Sequence, residues 1–238
     1  MTGSIELDAG LSELATGHHI LEMEGHGDLT LGHLSWRDPD GRGFWMKVQG
    51  LGLGEVRSLT DFLLLDFDGE VVHGDGWRHS EWPIHSEIFR ARPEIHAVGH
   101  THPFYATAFS ATTATLTAVG HEGAYFPGGV PRFTVTSGLV NTKPLGEALV
   151  TALGSASAAF MKNHGVVYCG TSVRHAVLLG IFIEKACRHQ IVLSGAGLGW
   201  EPSAEHPEPS KSDILTPALI DAFWAYECRQ LRGEDRTI

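Results

Sequence analysis

Residues 95–103, Ile-His-Ala-Val-Gly-His-Thr-His-Pro, form the centre of the predicted architecture. The first five residues are mostly apolar and partly β-branched, a composition typical of a short buried strand. If this strand extends to His102, the alternation of its side chains places His100 and His102 on one face, where both imidazoles can approach the same ion. Pro103 lacks an amide proton and ends the strand, so the pair is predicted at a strand end.

A single His-x-His pair is weak evidence by itself. The chain contains 15 histidines, and that number produces about one such pair by chance. The context of His164 adds to the case, because Asn163-His-Gly165 lies between Phe160-Met161 and Val166-Val-Tyr168, which predicts two strand segments joined by a turn. His164 is then a candidate third nitrogen ligand. Three neutral imidazoles with a carboxylate or water suit zinc, and also iron, cobalt or manganese.

Glu81 is the fourth candidate residue. Ser80 is predicted to be the N-cap of a helix that runs to about Ala91, and Arg92-Pro93 ends that helix. Glu81 then lies in the first turn, where the helix dipole favours a charged carboxylate. Beside a metal, such a carboxylate can be a ligand while the site is empty and a proton acceptor once substrate displaces it. A second interpretation stays open, in which Glu81 is only a first-turn helix charge.

The remaining pattern predicts further helices and strands on either side of this centre. The predicted helices are 11–25, 103–110, 143–153, 173–194 and 217–231, and the predicted strands are 29–36, 43–47, 63–66 and 133–136. Strands followed by a mixture of strands and helices are typical of a layered α/β or α+β domain. We expect one domain over residues 1–238, with residues 195–238 as a C-terminal loop and helical tail.

Composition limits the classes of function. The 238 residues are 42% hydrophobic, enough for one substantial core, and 17 basic against 28 acidic residues give a formal charge of −11. That balance, without a basic stripe, argues against a nucleic-acid partner. The three cysteines lack CxxC spacing, which argues against a disulfide framework or a thiolate zinc site. Since we find no signal peptide and no run of 18 apolar residues, we expect a cytoplasmic protein without a membrane partner.

A family resemblance rests on four segments in a fixed order: Gly32-His-Leu-Ser35, Ser80-Glu-Trp82, His100-Thr-His-Pro103 and Asn163-His-Gly165. Their order and separations resemble the class II aldolase/adducin family, which includes L-fuculose-phosphate aldolases. The resemblance covers the chain from about residue 10 to the last helix. It implies a single-domain, three-layer α/β/α sandwich with a largely antiparallel central sheet. It also implies a homotetramer whose active sites lie between neighbouring subunits.

The same resemblance implies roles for the four candidate residues. His100, His102 and His164 would be the zinc ligands, and Glu81 would alternate between the metal and a proton. The implied chemistry is cleavage of a carbon–carbon bond beside a carbonyl, in which two adjacent substrate oxygens chelate the cation and the cation stabilises the enediolate that forms. One divalent ion per subunit is expected, Zn²⁺ before Fe²⁺, Mn²⁺ or Co²⁺.

Departures from the family pattern concern the substrate. Sugar-phosphate aldolases of this family hold phosphate with a Thr-x-Gly-Asn segment, a Thr-Gly turn and paired serines before the glutamate. Thr30, Gly32 and Ser80 match that pattern. In contrast, His33 replaces the asparagine, Gln49-Gly50 replaces the turn and His79 replaces the first serine. We therefore expect the substrate-binding residues Thr30, His33, Gly50, His79 and Ser80 to receive a smaller or flatter anion, a carboxylate rather than a phosphate.

The remaining candidate active-site residues are Lys47 and three possible proton carriers. Lys47 ends the mostly apolar run Phe44-Trp-Met-Lys47 and is expected to bind the substrate anion, unless its ammonium group reaches solvent. The resemblance implies a tyrosine from the neighbouring subunit as second proton carrier, and His121 falls at that place. A histidine titrates nearer neutral pH than a tyrosine and can act as acid or base. Tyr125 and Tyr226 are the alternatives.

Together with these residues, the resemblance implies a metal-dependent lyase, an aldolase or a decarboxylase, that acts on a small non-phosphorylated hydroxy or oxo carboxylate. Both reactions leave a similar carbanion, so the sequence does not separate them. Two other functions stay open. Three histidines with open positions can bind iron in an oxygenase that acts on a phenolic or 2-oxo acid. An adducin-like assembly protein without catalysis is the other, although a scaffold has no need for four metal-site positions.

Overall fold

The computed structural model describes residues 2–126, 128–197, 199–202 and 215–233. The helices are α1 (Thr2–Met23), α2 (Trp82–Ala91), α3 (Phe104–Ser110), α4 (His121–Ala124), α5 (Lys143–Leu153), α6 (Val173–Gly195) and α7 (Pro217–Arg232). The strands are β1 (His33–Arg37), β2 (Phe44–Lys47), β3 (Phe62–Leu65), β4 (Val71–His73), β5 (Ala97–Thr101), β6 (Arg132–Phe133), β7 (Ala158–Met161) and β8 (Gly165–Gly170). Of the helices in the described ranges, none combines the length and apolar character that crossing a membrane requires.

The eight strands of the described residues form one sheet, in the order β4-β3-β2-β1-β5-β8-β7-β6. Each neighbouring pair is antiparallel except β6 and β7, which are parallel. β5 therefore lies at the centre, between the β1–β4 meander and the β7–β8 hairpin. Its register pairs His100 with His33 on β1 and with Val167 on β8. The first histidine of the motif is thus restrained by a strand on each side.

Helices cover both faces of this sheet, because strand residues alternate between two apolar surfaces. One surface includes Leu34 and Ala97 and packs against α1, α3 and α6, and α7 packs in turn against α1 and α6. The other surface includes Met46, Leu63 and Val98 and packs against α2 and α5. The result is a three-layer α/β/α sandwich with a largely antiparallel sheet, so the fold class predicted from the resemblance is confirmed.

The first helix begins at Thr2 rather than at residue 11 and, as predicted, continues through Gly17, ending at Met23. Glycine lowers intrinsic helix propensity, which weakened the prediction for this segment. Packing explains why the helix persists: a Cβ added at Gly17 would lie 2.9 Å from Leu34 Cδ2 on β1. The missing side chain lets the helix approach the sheet, so tertiary contact overrides local propensity.

Three element boundaries also differ from the prediction. β1 begins at His33 rather than at residue 29, because Leu29 and Gly32 have positive φ values of 54° and 74° that do not continue a strand. β6 is limited to two residues. The prediction of Ser80 as N-cap of α2 was wrong: Glu81 occupies that position, and Pro83 lies in the first turn, where its missing amide proton is tolerated.

The helices near the C-terminus agree with their predicted positions. Lys143–Leu153 and Pro217–Arg232 are helical, as expected for residues 143–153 and 217–231. Much of the predicted loop before the last helix falls on residues 198 and 203–214, which lie outside the described residues.

Candidate active site

Three histidine side chains meet at the end of β5. His100 is the fourth residue of that strand, His102 follows its end, and His164 lies in the turn between β7 and β8. One nitrogen from each ring lies within 4.8 Å of the other two, and the Nε2 atoms of His100 and His102 are 3.1 Å apart. A Cβ added at Gly165 would lie 2.6 Å from His102 Cδ2, so glycine permits this close approach. The predicted grouping of the three rings is present in the structure.

Hydrogen bonds at the opposite ring edges orient two of these histidines. His100 Nδ1 lies 3.1 Å from the Val166 carbonyl oxygen, and His102 Nδ1 lies 3.2 Å from Asp28 Oδ2. Each Nδ1–H can donate to its acceptor, which leaves Nε2 with a lone pair directed toward the other rings. Such partners are characteristic of metal-binding histidines, since they fix tautomer and ring orientation. Burial lowers the pKa of His102 to about 3, so this ring is neutral, as a metal ligand must be.

The Glu81 carboxylate lies beside the triad. Oε1 accepts a hydrogen bond from the Val140 amide at 2.8 Å, and Oε2 lies 3.6 Å from His100 Nε2 and 3.8 Å from His164 Nε2. Burial raises the pKa of Glu81, but the facing imidazoles of His100 and His164 and the hydrogen bond from the Val140 amide together lower it to about 2. The carboxylate is therefore ionised at neutral pH and is directed to the imidazoles rather than to the start of α2.

A cavity of about 550 Å³ opens next to these residues. Its walls include the triad residues His102 and His164 together with Glu81. The other lining residues are Asp28, Thr30, Leu31, Gly32, His33, Gln49, His79, Ser80, Thr107, Leu139 and Asn163. Four predicted substrate-binding residues, Thr30, His33, His79 and Ser80, therefore lie in the walls. Gly50 does not belong to these described walls, and its neighbour Gln49 takes that place.

The sequence matches a known protein family over the segment that contains these site residues. Residues 12–191 match the sequence model of the class II aldolase and adducin N-terminal domain. The chain belongs to this family. The match contains both the histidine triad and Glu81, so the sequence resemblance to class II aldolases is confirmed.

Relatives of this class II aldolase family member carry several activities in their names. 3,4-Dihydroxyphthalate decarboxylase from Rhodococcus jostii is 31% identical over 181 residues, which cover 70% of this chain and 73% of the relative. A protein from Streptomyces roseochromogenus named 4-hydroxy-3-prenylphenylpyruvate oxygenase/4-hydroxy-3-prenylbenzoate synthase is 32% identical over 149 residues, 61% of this chain. That match spans 53%, about half, of the relative's length.

A solved structure shares the whole architecture. L-Fuculose 1-phosphate aldolase from Glaciozyma antarctica superposes with a TM-score of 0.83 at 24% identity, over 97% of this chain and 92% of that chain. The likeness shows the fold. Together with the family match, the relatives indicate an enzyme of the lyase kind.

In this class II aldolase family member, Lys47 occupies a different place from the one predicted. Its side chain is fully buried, and Nζ donates to the carbonyl oxygens of Thr30 at 3.2 Å and Leu51 at 2.6 Å and to His79 Nε2 at 3.0 Å. These bonds use all three ammonium protons. In this structure the ammonium group therefore has no proton left for a substrate anion, and it does not reach solvent. Both interpretations of Lys47 made from the sequence differ from this geometry. Lys47 instead reaches the cavity through His79.

The additional histidines around the cavity are neutral. Burial, followed by repulsion from neighbouring rings, lowers the pKa of His33 and His85 well below the usual range. Burial and then the Lys47 charge lower the pKa of His79 to about 3. His33 and His79 therefore face the cavity as neutral hydrogen-bonding groups rather than as cations, which favours a ligand with less charge than a phosphate at these positions.

The predicted second proton carrier lies away from this cavity within its own chain. The His121 side chain is 71% exposed and lies near Glu122, with Nε2 3.6 Å from Oε1. Tyr125 stacks on Phe182 at a ring-centroid distance of 4.3 Å, and Tyr226 is exposed. Since the resemblance places the proton carrier in a neighbouring subunit, the roles of His121, Tyr125 and Tyr226 stay predictions.

Several wall residues were missed in the sequence. Asp28 supports His102, and its only local signal is a position in the turn-forming Gly25-His-Gly-Asp28. Thr107, on α3, also lines the cavity, and its buried hydroxyl oxygen has no hydrogen-bond partner among the described residues. Leu139 adds an apolar wall. These residues come from separate loops and helices, so local patterns do not bring them together.

Proposed function

We propose that this protein is a divalent-metal-dependent carbon–carbon lyase, an aldolase or a decarboxylase, with a small non-phosphorylated hydroxy or oxo carboxylate as substrate. The observation that carries this proposal is the position of Glu81 Oε2, 3.6 Å from His100 Nε2 and 3.8 Å from His164 Nε2, at the wall of a cavity of about 550 Å³. A ligand set, an ionised carboxylate and room for a small molecule coincide there. Family membership supports the lyase class.

The donor set fits a divalent cation. His100, His102 and His164 supply three imidazole nitrogens, and two of the rings are already oriented by Val166 and Asp28. We propose Zn²⁺ as the native ion, with Fe²⁺, Mn²⁺ or Co²⁺ as alternatives that nitrogen ligands also accept. When bound, the ion polarises the substrate oxygens and stabilises the negative charge that develops as the carbon–carbon bond breaks.

Glu81 is proposed to move the proton. The Val140 amide holds Oε1, so Oε2 is the oxygen that faces the imidazoles and the cavity. In aldol cleavage, this carboxylate accepts the proton of the substrate hydroxyl as the carbon–carbon bond breaks. In decarboxylation, the same carboxylate would first accept the proton of a substrate hydroxyl and then return that proton to the carbon that has lost carbon dioxide. Thr30, His33 and Ser80 are proposed to position the substrate opposite Glu81.

Two observations support a substrate without phosphate. Lys47, which lies just before the replaced Gln49-Gly50 turn, donates its ammonium protons to two carbonyl oxygens and to His79. His33 and His79 are neutral and replace residues that bind phosphate in the aldolases. The Rhodococcus relative, named for decarboxylation of 3,4-dihydroxyphthalate, supports the decarboxylase version for a hydroxylated carboxylate.

An iron-dependent oxygenase is the second candidate function. The Streptomyces relative with an oxygenase name supports it, and three histidines with open positions suit iron. Metal analysis after aerobic and anaerobic purification, combined with oxygen uptake on phenolic and 2-oxo acids, separates the two candidates. Oxygen consumption coupled to product formation would replace the lyase proposal.

The lyase proposal is tested by a screen of zinc-loaded protein against hydroxy and oxo carboxylates, including 3,4-dihydroxyphthalate, beside sugar phosphates such as L-fuculose 1-phosphate. We expect release of carbon dioxide or of an aldehyde from a substrate without phosphate. The His100→Ala variant, loaded and assayed in the same way, is the control. Release from phosphorylated sugars alone would refute the substrate class, and no release from any member of the panel would refute the lyase.

We also propose a cytoplasmic homotetramer with shared active sites. The support is family resemblance, together with the position of His121 on the surface and outside the cavity of its own chain. A neighbouring subunit can then supply His121, Tyr125 or Tyr226 to the site. Sedimentation velocity of the active protein is the test, and a strict monomer with full activity would contradict this arrangement.

A further inference from the structure

A chain of three polar side chains runs behind the cavity wall, and the proposed chemistry does not use two of its members. His33 Nδ1 lies 2.7 Å from His85 Nε2, His85 Nδ1 lies 2.6 Å from Ser35 Oγ, and Ser35 Oγ lies 3.3 Å from the Val98 carbonyl oxygen. All three side chains are buried. His33 also lines the cavity, so the chain connects the sheet backbone to the substrate space.

The number of protons sets the direction of these hydrogen bonds. A carbonyl oxygen only accepts, so the Ser35 hydroxyl has to donate to Val98 if all contacts in the chain are to hold a proton. Ser35 Oγ then accepts from His85 Nδ1–H. Neutral His85 consequently has a lone pair on Nε2, and this atom accepts from His33 Nδ1–H. The reverse direction would leave two oxygens, those of Ser35 and Val98, facing each other at 3.3 Å without a proton between them.

This direction determines what His33 presents to the cavity. A neutral imidazole with its proton on Nδ1 has only a lone pair on Nε2. We propose that His33 Nε2 accepts a hydrogen bond from a hydroxyl group of the substrate, and that Ser35 and His85 are positioning residues that hold His33 in this state. The inference rests on the proposed function in one respect, namely that a small oxygenated carboxylate occupies the cavity.

The consequence is selection for an O–H group at one point of the substrate. A hydroxyl donates to the lone pair, whereas an ether, an ionised carboxylate or a phosphate oxygen presents a second lone pair there. A buried acceptor that faces another acceptor loses its hydrogen bond and keeps the cost of desolvation. His33 therefore distinguishes this cavity from one with asparagine at the same position, since the asparagine amide can donate to an anion.

Binding of matched probes to the zinc-loaded protein tests the inference. The probes are 3,4-dihydroxybenzoate and its two monomethyl ethers, measured by isothermal titration calorimetry. We expect one of the two ethers to bind about tenfold more weakly than the diol, as loss of one hydrogen bond at a buried acceptor requires. His33→Phe should abolish this difference and Ser35→Ala should reduce it severalfold, whereas the exposed-residue controls His73→Phe and Ser58→Ala should preserve it.

Equal affinity of the diol and both ethers would overturn the inference, as would failure of the diol to bind. Neutron crystallography of the perdeuterated, zinc-loaded protein tests it without a ligand. We expect a deuteron on His33 Nδ1 and none on Nε2, and the opposite assignment would overturn the proposal even if the protein is a lyase. Absence of lyase activity with the expected deuteron positions would instead count against the proposed function alone.

Discussion

Replacement of Lys47 by methionine tests how the folded protein holds a buried charge next to its cavity. The folded protein keeps this ammonium with three hydrogen bonds, to Thr30, Leu51 and His79. Burial lowers the Lys47 pKa from 10.5 to about 8, and Glu55 opposes the change only in part. Because the unfolded chain regains a lysine of ordinary pKa, folding and proton binding are coupled at this residue.

The direction in which pH changes the free energy of unfolding follows from the number of protons that Lys47 binds in the folded and unfolded states. Between pH 8 and pH 10.5, Lys47 is mostly deprotonated in the folded protein and protonated in the unfolded chain. The free energy of unfolding therefore rises with pH in that window, and the contribution is lost as pH falls through 8. The difference between the ordinary pKa of 10.5 and the folded-state pKa of about 8 corresponds to at most about 3 kcal/mol in the free energy of unfolding. A methionine side chain does not titrate, so the wild-type protein should gain this stability relative to the Lys47→Met variant.

Urea unfolding followed by tryptophan fluorescence at pH 7, 8, 9 and 10 measures the difference. Lys143→Met is the matched control, because the Lys143 side chain is 41% exposed. The difference in unfolding free energy between wild type and this control should not rise with pH as it does for Lys47→Met. A constant difference between wild type and Lys47→Met across this range would refute the reasoning about burial. Activity should decline over the same window, since a neutral Lys47 has one proton fewer for its three acceptors, among them His79.

The proposed metal site makes three further predictions. Single Ala replacements of His100, His102 and His164 should each remove most bound metal in elemental analysis, and full occupancy in all three variants would exclude the triad. Glu81→Gln should keep its metal but slow turnover by roughly 10²-fold or more in steady-state assays; unchanged turnover would reduce Glu81 to a structural charge. Asp28→Asn weakens the acceptor for His102 Nδ1–H and should lower metal affinity about 10- to 100-fold in a chelator competition titration. An unaltered affinity would show that this contact does not support the ligand.

The triad was predictable because its signals are local. Strand alternation predicted a shared face for His100 and His102, and the glycine after His164 predicted a tight turn. In the structure, β5 ends at Thr101 and the three rings meet beyond it. Glu81 depended on the family resemblance, since local sequence left it as a helix charge. Its position is fixed by the Val140 amide, which is far away in sequence and donates a hydrogen bond to one carboxylate oxygen.

Other features needed the tertiary structure. Lys47 was predicted to need a partner, but its acceptors are two backbone carbonyl oxygens and one imidazole, and backbone acceptors leave no trace in residue types. Ser35 and His85 are 50 residues apart in sequence, and neither belongs to a recognisable motif by itself. Gly17 is a comparable case in the fold. A glycine is suited to this position because Leu34 lies so close, and helix propensity alone does not reveal that contact.

The position of the triad has a consequence for the order of folding. β5 and β8 are neighbours in the sheet, but the contact between His100 and His164 closes a long loop of the chain. An unfolded chain can present only the His100–His102 pair, so the complete ligand set arises after the two strands have paired. An ion held by the proposed site would then be captured late, after assembly of the sheet. Since the complete ligand set exists only in the native state, we expect added zinc to raise the melting temperature and to slow unfolding more than it speeds folding.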